Sequence, residues 1–283
     1  MKLVSFEVSG KASFGVVEDG NVYDLGLRLA GSYADLKDLI GADAFALAAA
    51  EVGKGIPEYR LDDVVLLPVI PNPEQIFCIG LNYADHVAET QRQSTERPMI
   101  FMRVPASQVG HNQPMLRPAE SEKFDYEGEI AIIIGKGGRR ISEEESWDHI
   151  AGYACYNDGS IRDWQLHTAQ WGPGKNFYRT GSFGPWMVTA DEIPANAEMT
   201  LVTRLNGVEL QRATTPQLIH SIPKLIAYIS TFTPLSPGDV IVTGTPGGIG
   251  LKRTPPLFLK PGDVVEIEVD RIGTLVNTVE NEL

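Results

Sequence analysis

The sequence predicts an α+β protein whose sheets are mostly antiparallel or mixed. Short apolar segments with strand-like composition are numerous, and turn residues separate them. Segments with helical periodicity are few, and they do not alternate regularly with the strands as they would in a parallel α/β fold. With 283 residues, the chain is long enough for one large domain and a smaller companion.

The N-terminal part predicts a small α+β domain of its own. Residues 1–30 alternate as a short β-meander, and residues 33–53 are rich in Ala and Leu with a helical pattern. A proline-rich connection follows, with prolines at 68, 71 and 73. Because such a connection is typical of a boundary, we place the small domain at residues 1–68 and the main domain at residues 69–283.

The main domain is dominated by predicted strands. The strand patterns are "QIFCIGLNY", "EGEIAIIIG", "YACYNDGS", "GPWMVT", "MTLVTRLNGV", "DVIVTGTP" and "DVVEIEVDRIGTLVNTV". The clearest helical patterns are "ESWDHI" and "TPQLIHSIPKLIAYISTFT".

Composition limits the classes of partner. Lys and Arg number 24 against 37 Asp and Glu, which gives a net charge of −13. An acidic chain without a basic stripe predicts no nucleic-acid or membrane partner.

Cys78 and Cys155 lie in apolar or aromatic surroundings without metal-ligand spacing, so we expect two reduced core thiols. The N-terminus has no long apolar stretch of the signal-peptide kind, and we expect a cytoplasmic protein.

Two carboxylates lie at the front of a run of isoleucines in "FDYEGEIAIII". Side chains alternate between the faces of a strand, so Glu127 and Glu129 share one face. The apolar residues that follow predict a strand that enters the core, which argues against an exposed acidic edge. Two like charges in such a place require neutralisation, and a divalent cation provides it.

Asp158 is the best candidate for a third ligand, because it ends an aromatic-rich strand just before a glycine. Taken alone, an Asp there is more often a turn or cap residue. Carboxylate oxygens without His or Cys nearby suit Mg²⁺, Mn²⁺ or Ca²⁺ rather than Zn²⁺.

In "NYADHVAE", His86 and Glu89 are three residues apart, so they touch if residues 84–92 form a helical turn. A carboxylate beside an imidazole fixes its tautomer and raises its basicity, as a general base requires. The alternative is a polar pair on a surface helix. Residues 90–98 are polar, and we expect a mobile lid there that brings the pair over a site.

Further polar groups follow the acidic strands. Arg162 is suited to bind a carboxylate, Gln165 adds an orienting amide, and Lys175 follows two glycines that permit close approach of a ligand. The segment "VTGTPGGIG" lacks the ending of a nucleotide-binding P-loop. We expect Thr245 and the amides of that loop to bind a small anion. The histidines at positions 111 and 220 have no carboxylate at a catalytic spacing and are interpreted as structural.

Taken together, these segments resemble the fumarylacetoacetate hydrolase family. The resemblance lies in "NYADHVAE", "DYEGEIAIIIGKGGRRIS", "GYACYNDGSIRDWQ", "GKNF", "GPWMVT", "LNGVELQ" and "LSPGDVIVTGTPGGIG", which occur in the family's order over roughly residues 70–270. It implies a mixed β-sandwich roll as the catalytic domain, a small N-terminal domain and a homodimer. One departure is Arg103, where the family often has a lysine; another is the sequence of residues 176–178.

The resemblance also implies roles for individual residues. The implied metal ligands, for Mg²⁺ or Mn²⁺, are Glu127, Glu129 and Asp158; the implied catalytic residues are His86, Glu89 and Lys175; the implied substrate contacts are Arg162, Gln165 and Thr245.

The implied reaction is metal-dependent hydrolysis of a C–C bond in an acylpyruvate-like 2,4-dioxo acid, in aromatic catabolism. The alternative is an isomerase, tautomerase or decarboxylase that acts on oxaloacetate or a 2-hydroxydienedioate. A third hypothesis, a binding protein without catalysis, predicts a purified protein that binds no metal.

Overall fold

The computed structural model describes residues 1–93 and 95–283. The strands are β1 Lys2–Val8, β2 Lys11–Glu18, β3 Asn21–Asp24, β4 Tyr59–Arg60, β5 Val65–Leu66, β6 Ile76–Gly80, β7 Met99–Arg103, β8 Gln108–Val109, β9 Met115–Arg117, β10 Phe124–Asp125, β11 Gly128–Ile134, β12 Ile150–Asn157, β13 Ser160–Ile161, β14 Gly181–Thr189, β15 Thr200–Leu205, β16 Val208–Thr214, β17 Val240–Val242, β18 Val264–Val269 and β19 Gly273–Asn281.

Helices are short and fewer. The α-helices are α1 Leu25–Arg28, α2 Leu36–Gly41, α3 Phe45–Val52, α4 Ala84–Thr90, α5 Arg162–Gln165, α6 Gly172–Lys175 and α7 Ile222–Phe232. The 3₁₀ turns are Leu61–Asp63, Pro105–Ser107, Ser146–His149, Ala190–Glu192, Thr215–Gln217 and Gly250–Lys252. In the described part of the chain, no helix combines the length and the apolar character that crossing a bilayer demands.

Two large sheets of unequal size and a two-stranded sheet, in which β10 pairs with β13, form the described part of the fold. The larger runs in the order β4-β3-β2-β1-β14-β12-β11-β17-β6-β7, with β5 beside β1 and β8 beside β14; the smaller runs β16-β15-β18-β19-β9. Strands β15, β18 and β19 pack against β11, β12 and β14. Antiparallel pairs dominate, and the parallel pairs are β8–β14, β6–β17 and β9–β19. The α+β class with mixed sheets is confirmed.

Strand β11 is buried on both faces, which explains its unbroken apolar sequence. Ile130, Ile132 and Ile134 join the core shared with the smaller sheet. Ala131 and Ile133 alternate with them and join a second core, shared with the N-terminal strands and helices.

The predicted N-terminal elements are present, with two adjustments. The meander forms as β1–β3 but ends at Asp24, where α1 follows, and the helical pattern of residues 33–53 divides into α2 and α3. Asp35 caps α2 by accepting a hydrogen bond from the Asp38 amide at 2.9 Å. Strand β1 pairs with β14, so the N-terminal strands continue the larger sheet of the main domain. A domain boundary at residue 68 stays a prediction.

Two predicted helical segments are shorter than expected. The segment "ESWDHI" forms only the 3₁₀ turn Ser146–His149, and α7 begins at Ile222 rather than at Thr215. Pro223 explains the second difference, since proline favours the first turn of a helix and is excluded from its interior. Cys78 and Cys155 are buried free thiols, as predicted.

The topology brings four chain segments to one edge of the larger sheet. Strand β11 runs antiparallel to β12 and β17, and β17 runs parallel to β6. The start of β11 therefore lies beside the ends of β6, β12 and β17. The candidate functional residues lie in or just beyond these strand ends.

His111 has the structural role that its sequence context indicates. Its Nδ1 accepts a hydrogen bond from the Val276 amide at 3.1 Å. Burial lowers the pKa of the imidazole from 6.5 to about 4. Between these values the unfolded chain binds the proton more readily than the folded one, so this group's contribution to stability is lost as pH falls from 6.5 toward 4.

We therefore predict that His111→Asn flattens the pH dependence of the free energy of unfolding over this interval, because the amide accepts the same hydrogen bond but does not titrate. Urea denaturation at several pH values measures the slope. The control is His167→Asn at an exposed position. An unchanged slope in His111→Asn would assign the pH dependence to other groups.

Candidate active site

A cleft at this sheet edge contains about 710 Å³ of space between protein atoms, part of it open solvent. The predicted site residues that line it are His86, Glu127, Glu129, Asp158, Arg162, Gln165, Lys175 and Thr245. Glu89, the remaining predicted residue, contacts His86. A concave cleft with several converging titratable groups has the features of a small-molecule site.

Three carboxylates meet at the inner end of the cleft. Glu127, Glu129 and Asp158 each place a carboxylate oxygen within 4.8 Å of the others, and all three are buried. Backbone pairing fixes their positions, since the Asp158 amide donates to the Glu127 carbonyl at 2.9 Å and the Glu127 amide donates to Asn157 Oδ1 at 3.0 Å. The Asp158 carboxylate therefore lies beside the face that Glu127 and Glu129 share.

Cations surround two of these acids. Lys175 Nζ lies 2.6 Å from Glu127 Oε2 and 2.5 Å from Asp158 Oδ2. Arg162 Nη1 lies 2.7 Å from Glu127 Oε1. Burial opposes ionisation of Glu127, but Arg162 and Lys175 outweigh it and hold the pKa of this carboxyl well below its usual range.

Glu129 lacks such a partner among the described residues. It accepts a hydrogen bond from the Gly244 amide at 2.5 Å, but no Lys, Arg or His nitrogen of that part of the chain lies within salt-bridge distance. Burial, followed by the charges of Asp158 and Glu127, raises the pKa of Glu129 well above its ordinary value. This is the acid that most needs an added cation.

The donor set fits Mg²⁺ or Mn²⁺. Hard divalent cations prefer oxygen ligands, and carboxylates of Glu127, Glu129 and Asp158 are the groups that would hold one. The set contains no sulfur or imidazole donor, so it does not match a typical zinc site.

Arg103 also belongs to the site, although the sequence indicated only a departure from the family pattern. It is buried, and its Nη1 lies 2.5 Å from Asp158 Oδ1 and 2.9 Å from the Gly159 carbonyl. Its other nitrogens donate to Ser107 Oγ and Thr180 Oγ1 at 3.2 and 3.1 Å. These bonds fix the guanidinium, which in turn orients the Asp158 carboxylate.

Asp125 is a fourth buried acid of the site, and the sequence did not indicate its role. Its Oδ2 accepts from Arg162 Nε at 2.7 Å and from the Leu251 amide at 2.9 Å. Arg162 Nη1 also donates to Gln165 Oε1 at 2.9 Å, whereas its buried Nη2 has no partner among the described residues. The two predicted contact residues, Arg162 and Gln165, therefore lie together on α5, and both N–H groups of Nη2 are unused within the described residues.

The predicted His–Glu pair forms on α4. His86 Nδ1 lies 2.8 Å from Glu89 Oε1, and the imidazole is buried at the cleft wall. Because Nδ1 is bonded to the carboxylate, Nε2 is the nitrogen available for proton transfer. Glu89 Oε2 accepts from the Gly248 amide at 2.9 Å, so the carboxylate is itself oriented.

The glycine-rich loop at residues 243–250 binds carboxylates of the protein itself. The amides of Gly244, Gly248 and Gly250 donate to Glu129, Glu89 and Asp125 at 2.5, 2.9 and 2.8 Å. Gly244 and Gly248 have φ of +102° and +103°, a backbone conformation that favours glycine. The small anion expected at these three amides is thus a protein carboxylate.

Thr245 lines the cleft, but its hydroxyl is engaged internally. It donates to the Gly128 carbonyl at 3.0 Å and accepts from Gln211 Nε2 at 2.9 Å. A substrate contact at Thr245 stays a prediction. The mobile lid expected at residues 90–98 also stays a prediction, and one residue of that segment, Ser94, lies outside the described residues.

Comparisons with known proteins identify the family of the chain. Residues 75–280 match the family model described as fumarylacetoacetate (FAA) hydrolase, C-terminal. A curated relative, "Oxaloacetate tautomerase fahd2, mitochondrial" of Xenopus laevis, is 38% identical over 287 residues, which cover 99% of this chain and 90% of the relative.

Two solved structures cover this chain completely and are themselves covered completely. The 5-carboxymethyl-2-hydroxymuconate delta-isomerase of Mycobacterium smegmatis is 31% identical with a TM-score of 0.78. The maleylpyruvate hydrolase of Sphingobium sp. SYK-6, in complex with manganese(II) ion and pyruvate, is 28% identical with a TM-score of 0.82.

We predict that Glu129→Gln weakens Mn²⁺ binding by about tenfold or more, since it removes one of three charged oxygen donors. Isothermal titration calorimetry on the purified protein measures the dissociation constant. Glu120→Gln, at an exposed position outside the cleft, is the matched control. Unchanged affinity in Glu129→Gln would remove this residue from the ligand set.

Proposed function

The chain belongs to the fumarylacetoacetate hydrolase family, and we propose that within this family of enzymes it is a divalent-metal-dependent tautomerase that interconverts the keto and enol forms of oxaloacetate. One observation supports this most directly: the His86–Glu89 pair and the three-carboxylate cluster line or border the same cleft. The relative named as an oxaloacetate tautomerase, which matches nearly the whole chain, supports the choice of substrate.

A divalent cation on Glu127, Glu129 and Asp158 would act as a Lewis acid that polarises the 2-oxo group and offsets the charge developing on its oxygen. This chemistry is shared by the proposed reaction and its rivals. The side chains around the substrate therefore decide which reaction follows.

His86 is the proposed base at C3 of the substrate. Its Nε2 takes a proton from C3, the C–H electron pair forms the C2–C3 double bond, and the 2-oxygen receives a proton. Glu89 holds Nδ1 and stabilises the imidazolium that forms. The imidazolium and the Lys175 ammonium are the proton-bearing groups of the cleft that are suited to serve the 2-oxygen. The net reaction moves one proton and changes no other atom.

Arg162 and Gln165 are the proposed contacts for the carboxylate next to the 2-oxo group. Arg162 Nη2 is buried and lacks a partner among the described residues, and burying an N–H group without a partner costs about 1–3 kcal/mol. A substrate carboxylate would remove that penalty. Thr245 is retained as a proposed contact because it lines the same wall.

Hydrolysis of an acylpyruvate, the reaction that the sequence predicts first, is the second candidate. The same His–Glu pair is suited to activate a water molecule, and the structurally similar maleylpyruvate hydrolase supports this reading. Its identity of 28% is below the 38% of the tautomerase relative, so the comparisons favour the alternative over the first prediction. Decarboxylation of oxaloacetate, which mainly requires an electron sink, is a third outcome of the same assay.

Assembly and location are also proposals. The resemblance implies a homodimer, and the net charge of −13 argues against nucleic acid and anionic membranes as partners. The relative from Xenopus laevis is named as mitochondrial, whereas the sequence predicts a cytoplasmic protein here. A role in aromatic catabolism belongs to the hydrolase candidate.

The deciding experiment offers oxaloacetate and an acylpyruvate to the chelated protein, with and without added Mg²⁺ or Mn²⁺. We expect metal-dependent loss of the oxaloacetate enol absorbance without release of pyruvate or CO₂. Release of pyruvate and a carboxylic acid from the acylpyruvate, with oxaloacetate tautomerisation unaccelerated, would replace the proposal with the hydrolase. Release of CO₂ and pyruvate from oxaloacetate as the only accelerated reaction would assign a decarboxylase.

We predict that His86→Ala lowers kcat for tautomerisation by about 10²–10⁴-fold, the usual range for a general base. Glu89→Gln should lower kcat less, because the imidazole remains but loses its charged partner. Metal affinity measured by calorimetry is the control, and both variants should retain it. Full activity in His86→Ala would exclude the pair from the chemistry.

A further inference from the structure

Two cations at the cleft have no carboxylate partner in the described part of the chain. Arg92 and Lys252 both line the cleft and are exposed. Neither takes part in a salt bridge within the described residues. In a chain with a net charge of −13, two cations of one cleft that lack a carboxylate partner are available to an anionic ligand.

The inner cations differ in this respect. Lys175 bridges Glu127 and Asp158, and Arg162 pairs with Asp125 and Glu127. Their charges are therefore largely compensated by the protein. A second negative charge on a substrate gains little from them, and it gains more from cations that lack an internal partner.

Arg92 is held in place by an aromatic platform. Its guanidinium carbon lies 5.2 Å from the ring centroid of Trp171, within the range of a cation–π contact. Trp171 packs edge-on against Phe101, with centroids 5.6 Å apart. It also covers Gly80 so closely that a Cβ there would lie 2.3 Å from the indole. The arginine therefore rests on a constrained ring.

Lys252 comes from a different segment of the chain. It ends the 3₁₀ turn Gly250–Lys252, directly after two residues, Gly250 and Leu251, whose amides bind Asp125. This anchors the backbone beside the lysine. Apolar side chains such as Phe101 and Ile249 also line the cleft, and they cannot bind a carboxylate. Arg92 and Lys252 are suited to do so.

We infer that Arg92 and Lys252 bind the second carboxylate of a dicarboxylic substrate and give the cleft its preference for doubly charged 2-oxo acids. The inference rests on the proposed function, whose substrate has carboxylates at both ends. Arg92 and Lys252 act on binding and selectivity, and neither takes part in proton transfer.

The test compares oxaloacetate with its C4 methyl ester, which keeps the 2-oxo acid end and removes the second charge. Arg92→Met and Lys252→Met remove one cation each, and Arg92→Lys retains the charge. The matched controls are Arg139→Met and Lys11→Met, which remove exposed cations outside the cleft and change the net charge equally.

We expect each cleft variant to lower kcat/KM for oxaloacetate by about tenfold, mainly through KM, because rim charges contribute to binding more than to chemistry. The C4 ester should change by less than about twofold, and Arg92→Lys should restore most of the loss. The effect should shrink as ionic strength rises, since exposed charges are screened. Equal losses on both substrates, or no loss on either, would overturn the inference.

Equilibrium binding separates this result from failure of the proposed reaction. Calorimetry with oxaloacetate and the C4 ester, in the presence of Mg²⁺, reports the charge preference even if tautomerisation is not accelerated. The inference is supported if the wild-type protein binds oxaloacetate more tightly than the ester and if Arg92→Met and Lys252→Met remove this preference. This result does not depend on which reaction the protein catalyses. Equal wild-type affinity for the two compounds contradicts it.

Discussion

Burial of four carboxylates at one sheet edge is the constraint on which the cleft depends. Asp125, Glu127, Glu129 and Asp158 are almost completely removed from solvent, and an unpaired charge in such a place is prohibitively costly. Arg103, Arg162 and Lys175 pair with the other three acids, whereas Glu129 has no such partner among the described residues and its pKa is raised well above the ordinary value. Removing one partner of a buried ion pair costs about 3–5 kcal/mol, because the charge that stays behind is buried without compensation. The inner network is therefore fixed as a unit.

The glycine-rich loop completes this network by supplying neutral donors. Its amides bind acids of three kinds: Glu129 of the carboxylate cluster, Glu89 of the His–Glu pair, and Asp125, which orients Arg162. One segment thus ties together the proposed metal ligands, the proposed base and the proposed substrate contact. The positive φ at Gly244 and Gly248 explains why glycine occupies these positions, and the binding of protein carboxylates explains the resemblance to an anion-binding loop.

Local patterns predicted those features that depend on local geometry. Alternation along a strand placed Glu127 and Glu129 on one face, helical spacing joined His86 to Glu89, and the apolar run identified a strand buried on both sides. Contacts across long sequence separations were not predictable in this way. The bond of Arg103 to Asp158 spans 55 residues, and that of Gly250 to Asp125 spans 125. Only the topology of the larger sheet brings such residues together. One usable signal for Arg103 was present in the sequence, because an arginine that ends the mostly apolar run "MIFMR" is expected to need an acid nearby if that run is buried.

The balance of charge also indicates how one site can discriminate among related acids. With all four acids ionised, the inner cluster carries one excess negative charge, and a divalent cation held by Glu127, Glu129 and Asp158 would change this to one positive charge. That single charge matches one carboxylate, the group next to the reacting 2-oxo carbon. A second carboxylate finds no surplus charge at the inner end, because Lys175 and Arg162 are already paired. Recognition of a doubly charged acid must therefore come from elsewhere on the cleft wall. Arg92 and Lys252 are the cleft-lining cations for which the described residues provide no carboxylate partner, so selectivity and catalysis are assigned to different ends of one cleft.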